Sequence, residues 1–327
     1  MRAVQIDRFG GPEVLQLTDV PKPEPGADEA LVEIELAGVN FADIDHRRGE
    51  RGTTVPMVLG TEGVGTVAEV GADVSGVAVG ERVSFWNPGT PGAYAEFAIA
   101  PPPRLVPVPD DIPSPEAAAM ALQGLTAHAL TCGMYPPSAG ETCLIHSGAG
   151  GVGQIAVQLA KASGATVFTT VGSAEKADYV REIGADHAIL YKETDFKDAV
   201  LELTDGKGVD VVYDGIGNDT IERSIGSVRP RGHCILYGYK SGGFQGGPAT
   251  ELPMRMLARN TVFITAGATM FYLFGPQLRA RSDELFALYR SGDLNLRIGG
   301  EFGLDTAAAA HTAMETGGSI GKLVIRP

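Results

Sequence analysis

Cysteine is scarce in this chain, which holds only Cys132, Cys143 and Cys234. An odd number without short spacing makes neither a disulfide framework nor a C-x-x-C metal clip, so a reducing cytoplasm is the expected compartment. Positive charge is also thin: 26 lysines and arginines stand against 40 acidic residues, a net charge of -14. That balance disfavours nucleic acid or an anionic membrane as a partner and still leaves room for a local basic pocket. Long apolar runs are missing too. The longest uncharged stretch, Ala117 to Gly140, carries Gln123, Thr126, His128 and Thr131 and ends in Pro136-Pro137. It reads as a buried helix and a turn, not as a membrane span. The N-terminal MRAVQIDRFGGPEVLQL is charged early and has no apolar core for export, so no signal peptide is expected. No internal repeat or low-complexity segment is evident.

What the chain has is glycine, 44 residues of it, and regular alternation. At 327 residues it is too long for one ordinary core and suggests two domains. Residues 1 to about 115 carry short β-prone runs at Val4 to Ile6, Leu31 to Ala37, Gly63 to Val70, Arg82 to Phe85 and Tyr94 to Ala100, parted by proline and glycine turns. Without alternating helices, this part reads as a partly open barrel. Ser114-Pro115-Glu116 then resembles a capped helix start with proline at the first helical position.

From Thr142 strands and helices alternate. Strands are expected at 143 to 146, 165 to 170, 187 to 190, 209 to 213, 232 to 237 and 261 to 266. Helices are expected at 152 to 163, 174 to 183, 195 to 204, 219 to 227 and near 251 to 258. This is the pattern of a doubly wound six-stranded parallel sheet in an α/β fold. The tail carries helices at 282 to 290 and near 305 to 315 and a strand at Lys322 to Ile325. Its natural home is the first module, which makes that module discontinuous.

The most informative piece is TCLIHSGAGGVGQIAVQLAKASG, residues 142 to 164. A short apolar strand runs into Gly148-Ala149-Gly150-Gly151-Val152-Gly153, a G-x-G-x-x-G, and then into an amphipathic helix. Glycines let the backbone bend tightly against a pyrophosphate, and the helix N-terminus offers N–H groups and a favourable dipole. A tight strand-to-helix turn without a ligand is the plainer alternative. The strand before, the helix after and the second strand at Ala165 to Thr170 favour dinucleotide binding. The second strand then ends at Gly172 where an NAD-binding domain usually places Asp or Glu for the ribose 2′-OH. Ser173 and Lys176 follow, donors suited to a 2′-phosphate, so NADPH is the expected cofactor. Glu175 works against this, and Lys176 alone would also pass as a solvated residue.

Over nearly its whole length the chain resembles the zinc-free quinone oxidoreductases of the medium-chain dehydrogenase/reductase superfamily. The resemblance is carried by FGGPEVL (9 to 15), GVNFADIDHRRG (38 to 49), PMVLGTEGVGTVAEVG (56 to 71), GERV (80 to 83), GAYAEF (92 to 97), LQGLTAH (122 to 128), HSGAGGVGQIAVQLAK (146 to 161), TVGSAEKA (170 to 177), GVDVVYDGIG (208 to 217) and RGHCILYG (231 to 238). It implies a Rossmann domain inserted into a discontinuous GroES-like catalytic domain, with 1–121 and 267–327 as the two parts of the latter and 122–266 as the NADPH-binding domain. Zinc members of the superfamily place cysteine and histidine where Asn40 and Thr61 stand, so no metal is expected.

The expected cofactor residues are Asn40, Thr126, Gly150, Gly151, Val152, Gly153, Gly172, Ser173, Lys176, Tyr191, Asp214, Ile216, Gly238, Tyr239, Lys240 and Ser241. Several rest on the resemblance: Thr126 beside the nicotinamide ribose, Tyr191 lining the adenine-phosphate pocket, and Asn40 with Asp43 facing nicotinamide and substrate. Asn40 also fits a turn after a strand, Tyr191 a packing aromatic, and Thr126 a hydroxyl bonded to its own helix. Asp214, Ile216 and residues 238 to 241 end strands at the carboxyl edge of the sheet, where ligands bind in such folds. Asp43 or Tyr272 is the expected proton source, solvent being the alternative. Met270, Phe271, Tyr272 and Phe274 suit an apolar lid or a plain core cluster. His46, His128, His146 and Cys132 are expected to be structural.

The chain departs from the family at Asp45, where a tyrosine is usual, near Arg51, at Gly317 and at Ala266-Gly267. The expected reaction is hydride transfer from NADPH to a quinone or another conjugated carbonyl such as an enone. Reduction of an enoyl thioester or alkenal is the nearest alternative, and a structural or RNA-binding role the alternative of another class. A homodimer through the strand near 261 to 266 is implied by the resemblance and by edge-strand logic.

Overall fold

Six short apolar runs form one parallel sheet in the order His187–Leu190, Thr166–Val171, Thr142–His146, Val209–Asp214, Val228–Leu236, Val262–Thr265. Counted along the chain this is 3-2-1-4-5-6, the doubly wound order, with its switch point between the first and fourth strands. Parallel strands covered on both faces read as continuous apolar runs, which is why VDVVYD and TCLIH are legible. Leu144, Phe168, Phe196, Val200, Val212 and Leu236 share one buried cluster. Each such side chain contributes roughly 2 kcal/mol by leaving water. The fifth strand begins earlier than its sequence suggests, because Pro230 and the left-handed Arg231 (φ 65°) sit inside it beside a shift of register.

This computed structural model describes residues 1–241, 262–265 and 277–327. They fall into two units, one of residues 1–123, 277–286 and 296–327, the other of 124–241, 262–265 and 287–295. The expected helix near 251 to 258, Ala266-Gly267 and the group Met270, Phe271, Tyr272 and Phe274 lie outside the described residues.

The first unit is largely antiparallel. One sheet runs Ile298–Gly303, Lys322–Arg326, Ala30–Gly38, Glu62–Val70, Arg82–Trp86, Val106–Pro107, and Phe97–Ala100 also pairs with Ala30–Gly38. A smaller sheet joins Gln16–Asp19, Arg2–Ile6 and Met57–Val58. The C-terminal strand pairs with Ala30–Gly38, whereas residues 287–295 of the tail fall in the other unit. Register sets the site: Gly38 stands opposite Glu62 on one side and Val324 on the other. A Cβ on Gly38 would lie 2.5 Å from the Glu62 Cδ and 2.7 Å from the Lys322 Nζ, so only glycine leaves room for both side chains.

One helix was not foreseen. Phe41–Arg48 follows the strand directly, begins at Asn40 and stops at Gly49, whose φ of 77° is left-handed. Its charged composition hid it, since Asp43, His46 and Arg47 are buried although no apolar stripe announces them. Among the described residues no helix is long and apolar enough to cross a membrane.

Candidate functional site

The glycine loop sits where its sequence places it. Thr142–His146 ends in Ser147, a non-glycine residue at φ 56°, and the helix Gly151–Ala162 starts from Gly150 with no side chain capping it. Its first N–H groups therefore have no capping side chain, the arrangement from which helix N-termini bind anions. A Cβ on Gly148 would come 2.9 Å from the Thr169 Cβ, and one on Gly153 2.7 Å from the Gly148 Cα. Those two glycines serve close packing of helix on strand, while Gly150 has more room, with Ser147 O 3.2 Å away. Gly151 and Val152 open the helix between them.

The second strand delivers Gly172 and Ser173. The Ser173 Oγ accepts from the Lys176 backbone N–H at 3.4 Å and caps the helix Ala174–Glu182. A Cβ on Gly172 would stand 3.1 Å from the Tyr191 hydroxyl and 3.5 Å from the Lys192 Cε. Burial lowers the Lys176 pKa, and the ammonium groups of Lys240 and Lys192 lower it further, partly offset by Glu175. Burial lowers Lys240 as well. Three lysines from three segments thus raise the local potential next to Gly172, in a chain that is strongly acidic overall. Lys192 was missed in the sequence although it adjoins Tyr191. Its signal was a second cation one residue past a position already singled out.

Asp214 lies inside the protein and accepts from Ile216 N (2.8 Å), Gly217 N (3.1 Å), Thr220 Oγ1 (2.8 Å) and Ser224 Oγ (2.6 Å). It shapes the turn that presents Ile216. Ser241 donates from N and Oγ to Ile216 O at 2.7 and 2.8 Å, which ties the ends of the fourth and fifth strands together. Gly238 lets them approach, since a Cβ there would meet Gly215 O at 2.7 Å. Tyr239 lies against the buried cluster of the sheet, and Thr126 is buried in the helix Leu125–His128. That helix is flanked by π-helical turns at Met120–Gly124 and Ala129–Met134.

The first unit holds a different arrangement. Asn40 is 4% exposed and its amide is held by protein groups. Its Nδ2 donates to Glu62 Oε1 at 2.9 Å, and its Oδ1 accepts from Gln123 Nε2 at 2.9 Å and Lys322 Nζ at 3.2 Å. Lys322 also pairs with Glu62 and donates to Val39 O at 3.3 Å, and Glu62 Oε2 accepts from Leu122 N at 2.8 Å. Glu62 and Lys322 are wholly buried, and removing either partner would strand a charge.

Asp43 lies one layer further in and is likewise wholly buried. It accepts from Asn40 N (2.8 Å), Thr61 N and Oγ1 (2.8 Å each) and Tyr94 OH (3.1 Å). Burial pushes its pKa up to about 6 against the pull of the Thr61 hydroxyl and the Asn40 N–H. It acts here as a cap and an anchor, with both oxygens turned inward. The expected proton source Tyr272 lies outside the described residues. Asp45, where the family resemblance leads one to expect a tyrosine, forms an ion pair with Arg51 at 2.8 Å. Among the described residues no group of three His, Cys, Asp or Glu side chains is placed to hold a metal ion.

Comparison with known proteins agrees with this geometry. Residues 26–110 match the family described as alcohol dehydrogenase GroES-like domain, and residues 151–276 the one described as zinc-binding dehydrogenase. A quinone oxidoreductase of Pseudomonas aeruginosa is 39% identical, covering 100% of this chain and 99% of its own. A 2-haloacrylate reductase of a Burkholderia species is 37% identical over 99% of this chain and 98% of its own. Among solved structures, Escherichia coli quinone oxidoreductase complexed with NADPH superposes with a TM-score of 0.94 at 33% identity, covering 100% of both chains.

Proposed function

Because the chain belongs to the quinone oxidoreductase-like family of the medium-chain dehydrogenase/reductase superfamily, we propose that it is an NADPH-dependent oxidoreductase that reduces a quinone or another conjugated carbonyl. The observation that carries the cofactor assignment is the join of an uncapped helix N-terminus behind Gly148 to Gly153 with the lysine cluster around Gly172. The loop and helix N-terminus bind a pyrophosphate. Lys176, Lys192 and Lys240, with the Ser173 hydroxyl and Tyr191, bind a 2′-phosphate, and no carboxylate ends the second strand to accept from a ribose 2′-OH. When bound, NADPH supplies the hydride. Thr126 and Asn40 remain the residues proposed for the nicotinamide end, with Asn40 fixed in orientation by Glu62, Gln123 and Lys322.

The reaction is proposed to be metal-free. The ammonium of Lys322 already balances Glu62 and bonds to Asn40, so a cation is built in beside those two side chains. Stoichiometric zinc in purified protein would overturn this point. Reduction of a carbon–carbon double bond conjugated to a carbonyl or carboxylate is the second reading, favoured by the similarity to 2-haloacrylate reductase. Three free cysteines suit a cytoplasmic setting, and a homodimer through the edge strand Val262–Thr265 suits the sheet order. Light scattering checks the dimer.

The test is an NADPH-oxidation screen over quinones, enones, 2-haloacrylates and enoyl thioesters. Turnover in the quinone or enone class is expected, and silence in all four classes would end the reductase reading.

A further inference from the structure

A directed hydrogen-bond chain runs through the first unit from its far segment to the helix that carries Asn40. Glu315 accepts a bidentate pair from Arg47 (3.1 and 2.7 Å) and a third bond from Arg48 (2.6 Å). Arg47, almost fully buried, also holds Gly10 O at 3.0 Å and reaches His311 Nδ1 at 3.2 Å. A guanidinium only donates, so the Nδ1 of His311 must accept, and its proton must sit on Nε2. That Nε2–H faces the Tyr94 oxygen at 3.2 Å, and the Tyr94 hydroxyl proton is left to point at Asp43 Oδ2, 3.1 Å away. The two rings meet edge to face, 5.7 Å between centroids. Tyr94 and His311 are wholly buried, and burial with the Arg47 charge pushes His311 down to about 3, against a small opposing pull from Glu315. His311 is therefore neutral throughout the working range, and the order of donors is fixed as Arg47, His311, Tyr94, Asp43.

We propose that His311 and Tyr94 are positioning residues for Asn40, acting through the Asp43 carboxylate that receives the Asn40 backbone N–H and both donors of Thr61. The chain links segments 264 residues apart in sequence, Arg47 in the first part of the unit and His311 in its C-terminal helix. This inference rests on the reading that Asn40 meets the reactants. The groups facing Asp43 are Asn40, Thr61 and Glu62, Lys322 from the last strand and Tyr94; those facing His311 are Arg47, Glu315 and Tyr94. Losing the Tyr94 donor leaves the buried carboxylate less well solvated, so its protonation moves to higher pH.

The test compares Tyr94→Phe, His311→Leu and His311→Gln in the full chain. A glutamine amide can accept from Arg47 and donate to Tyr94, whereas leucine can do neither. The account expects kcat to fall about tenfold in Tyr94→Phe and His311→Leu, with KM for NADPH unchanged and the acid limb of the kcat profile moved up by about one pH unit. His311→Gln should regain most of both. Unaltered kcat and acid limb in folded variants, or a loss that glutamine does not rescue, would overturn the proposal. If the native chain reduces no acceptor, the functional reading has failed separately. The chain of bonds is then scored by the pH dependence of unfolding: a higher midpoint for Asp43 in Tyr94→Phe supports it, and an unmoved midpoint refutes it.

Discussion

The polar groups of the two units are used in opposite ways. In the first, Asn40, Asp43, Glu62, Tyr94, His311 and Lys322 are bonded inside the protein to one another and to Thr61, Leu122, Gln123 and Arg47. In the second, the loop after Thr142–His146 offers backbone N–H groups at an uncapped helix start, and lysines are brought together until they repel. A closed network fixes geometry at a cost in desolvation; an open one stores unfavourable charge that a bound anion would relieve. The first therefore reads as orientation and the second as affinity.

Breaking the closed network should have the largest effect. Lys322→Met leaves Glu62 charged and buried, and a loss of about 3 to 5 kcal/mol in unfolding free energy is expected from urea titration. Adding Glu62→Gln should return much of it, because the cost lies in the stranded charge. The same network should also show in pH. The folded-state pKa of Asp43, about 6, lies above its ordinary 3.8. A raised carboxylate contributes stability that is fully present below the unfolded value and is lost as pH rises through the folded one. Between those values the wild type should lose about 3 kcal/mol that Asp43→Asn does not lose. Parallel stability curves for the two proteins from pH 3.8 to 6 would deny that burial governs Asp43.

Effects in the open region should be milder and should appear in binding. Each of Lys176→Ala, Lys192→Ala and Lys240→Ala is expected to weaken NADPH by about tenfold and to leave NADH and the melting temperature nearly unchanged. Tyr191→Phe should have the smallest effect, no more than about threefold on NADPH by fluorescence titration. Tyr191 is half exposed, and its hydroxyl beside Gly172 competes with water.

The same contrast governs what the sequence disclosed. The open region is built from consecutive residues: strand, glycines, helix, then the end of the next strand, so GAGGVG and the missing acid at Gly172 could be read directly. Buried parallel strands advertise themselves as unbroken apolar runs, and five of the six began and ended within a residue or two of expectation. The closed region is built from distant residues. Lys322 looked like part of an ordinary last strand because its partners Asn40 and Glu62 stand more than 250 residues away. His311 lay in an alanine-rich helix with no sign of its partner Arg47. The helix Phe41–Arg48 was hidden because its inward face is charged. Asn40 and Asp43, three residues apart ahead of Gly49, were the local signal that a start and a stop had been written there.

The measurement closest to the central claim is the ratio of kcat/KM for NADPH over NADH with one quinone acceptor, in the native chain and in the triple variant Lys176→Ala, Lys192→Ala, Lys240→Ala. The account predicts a ratio of about 100 or more that collapses towards unity in the variant, with kcat for NADH preserved. A native ratio near unity, or one that survives the loss of all three lysines, would contradict it.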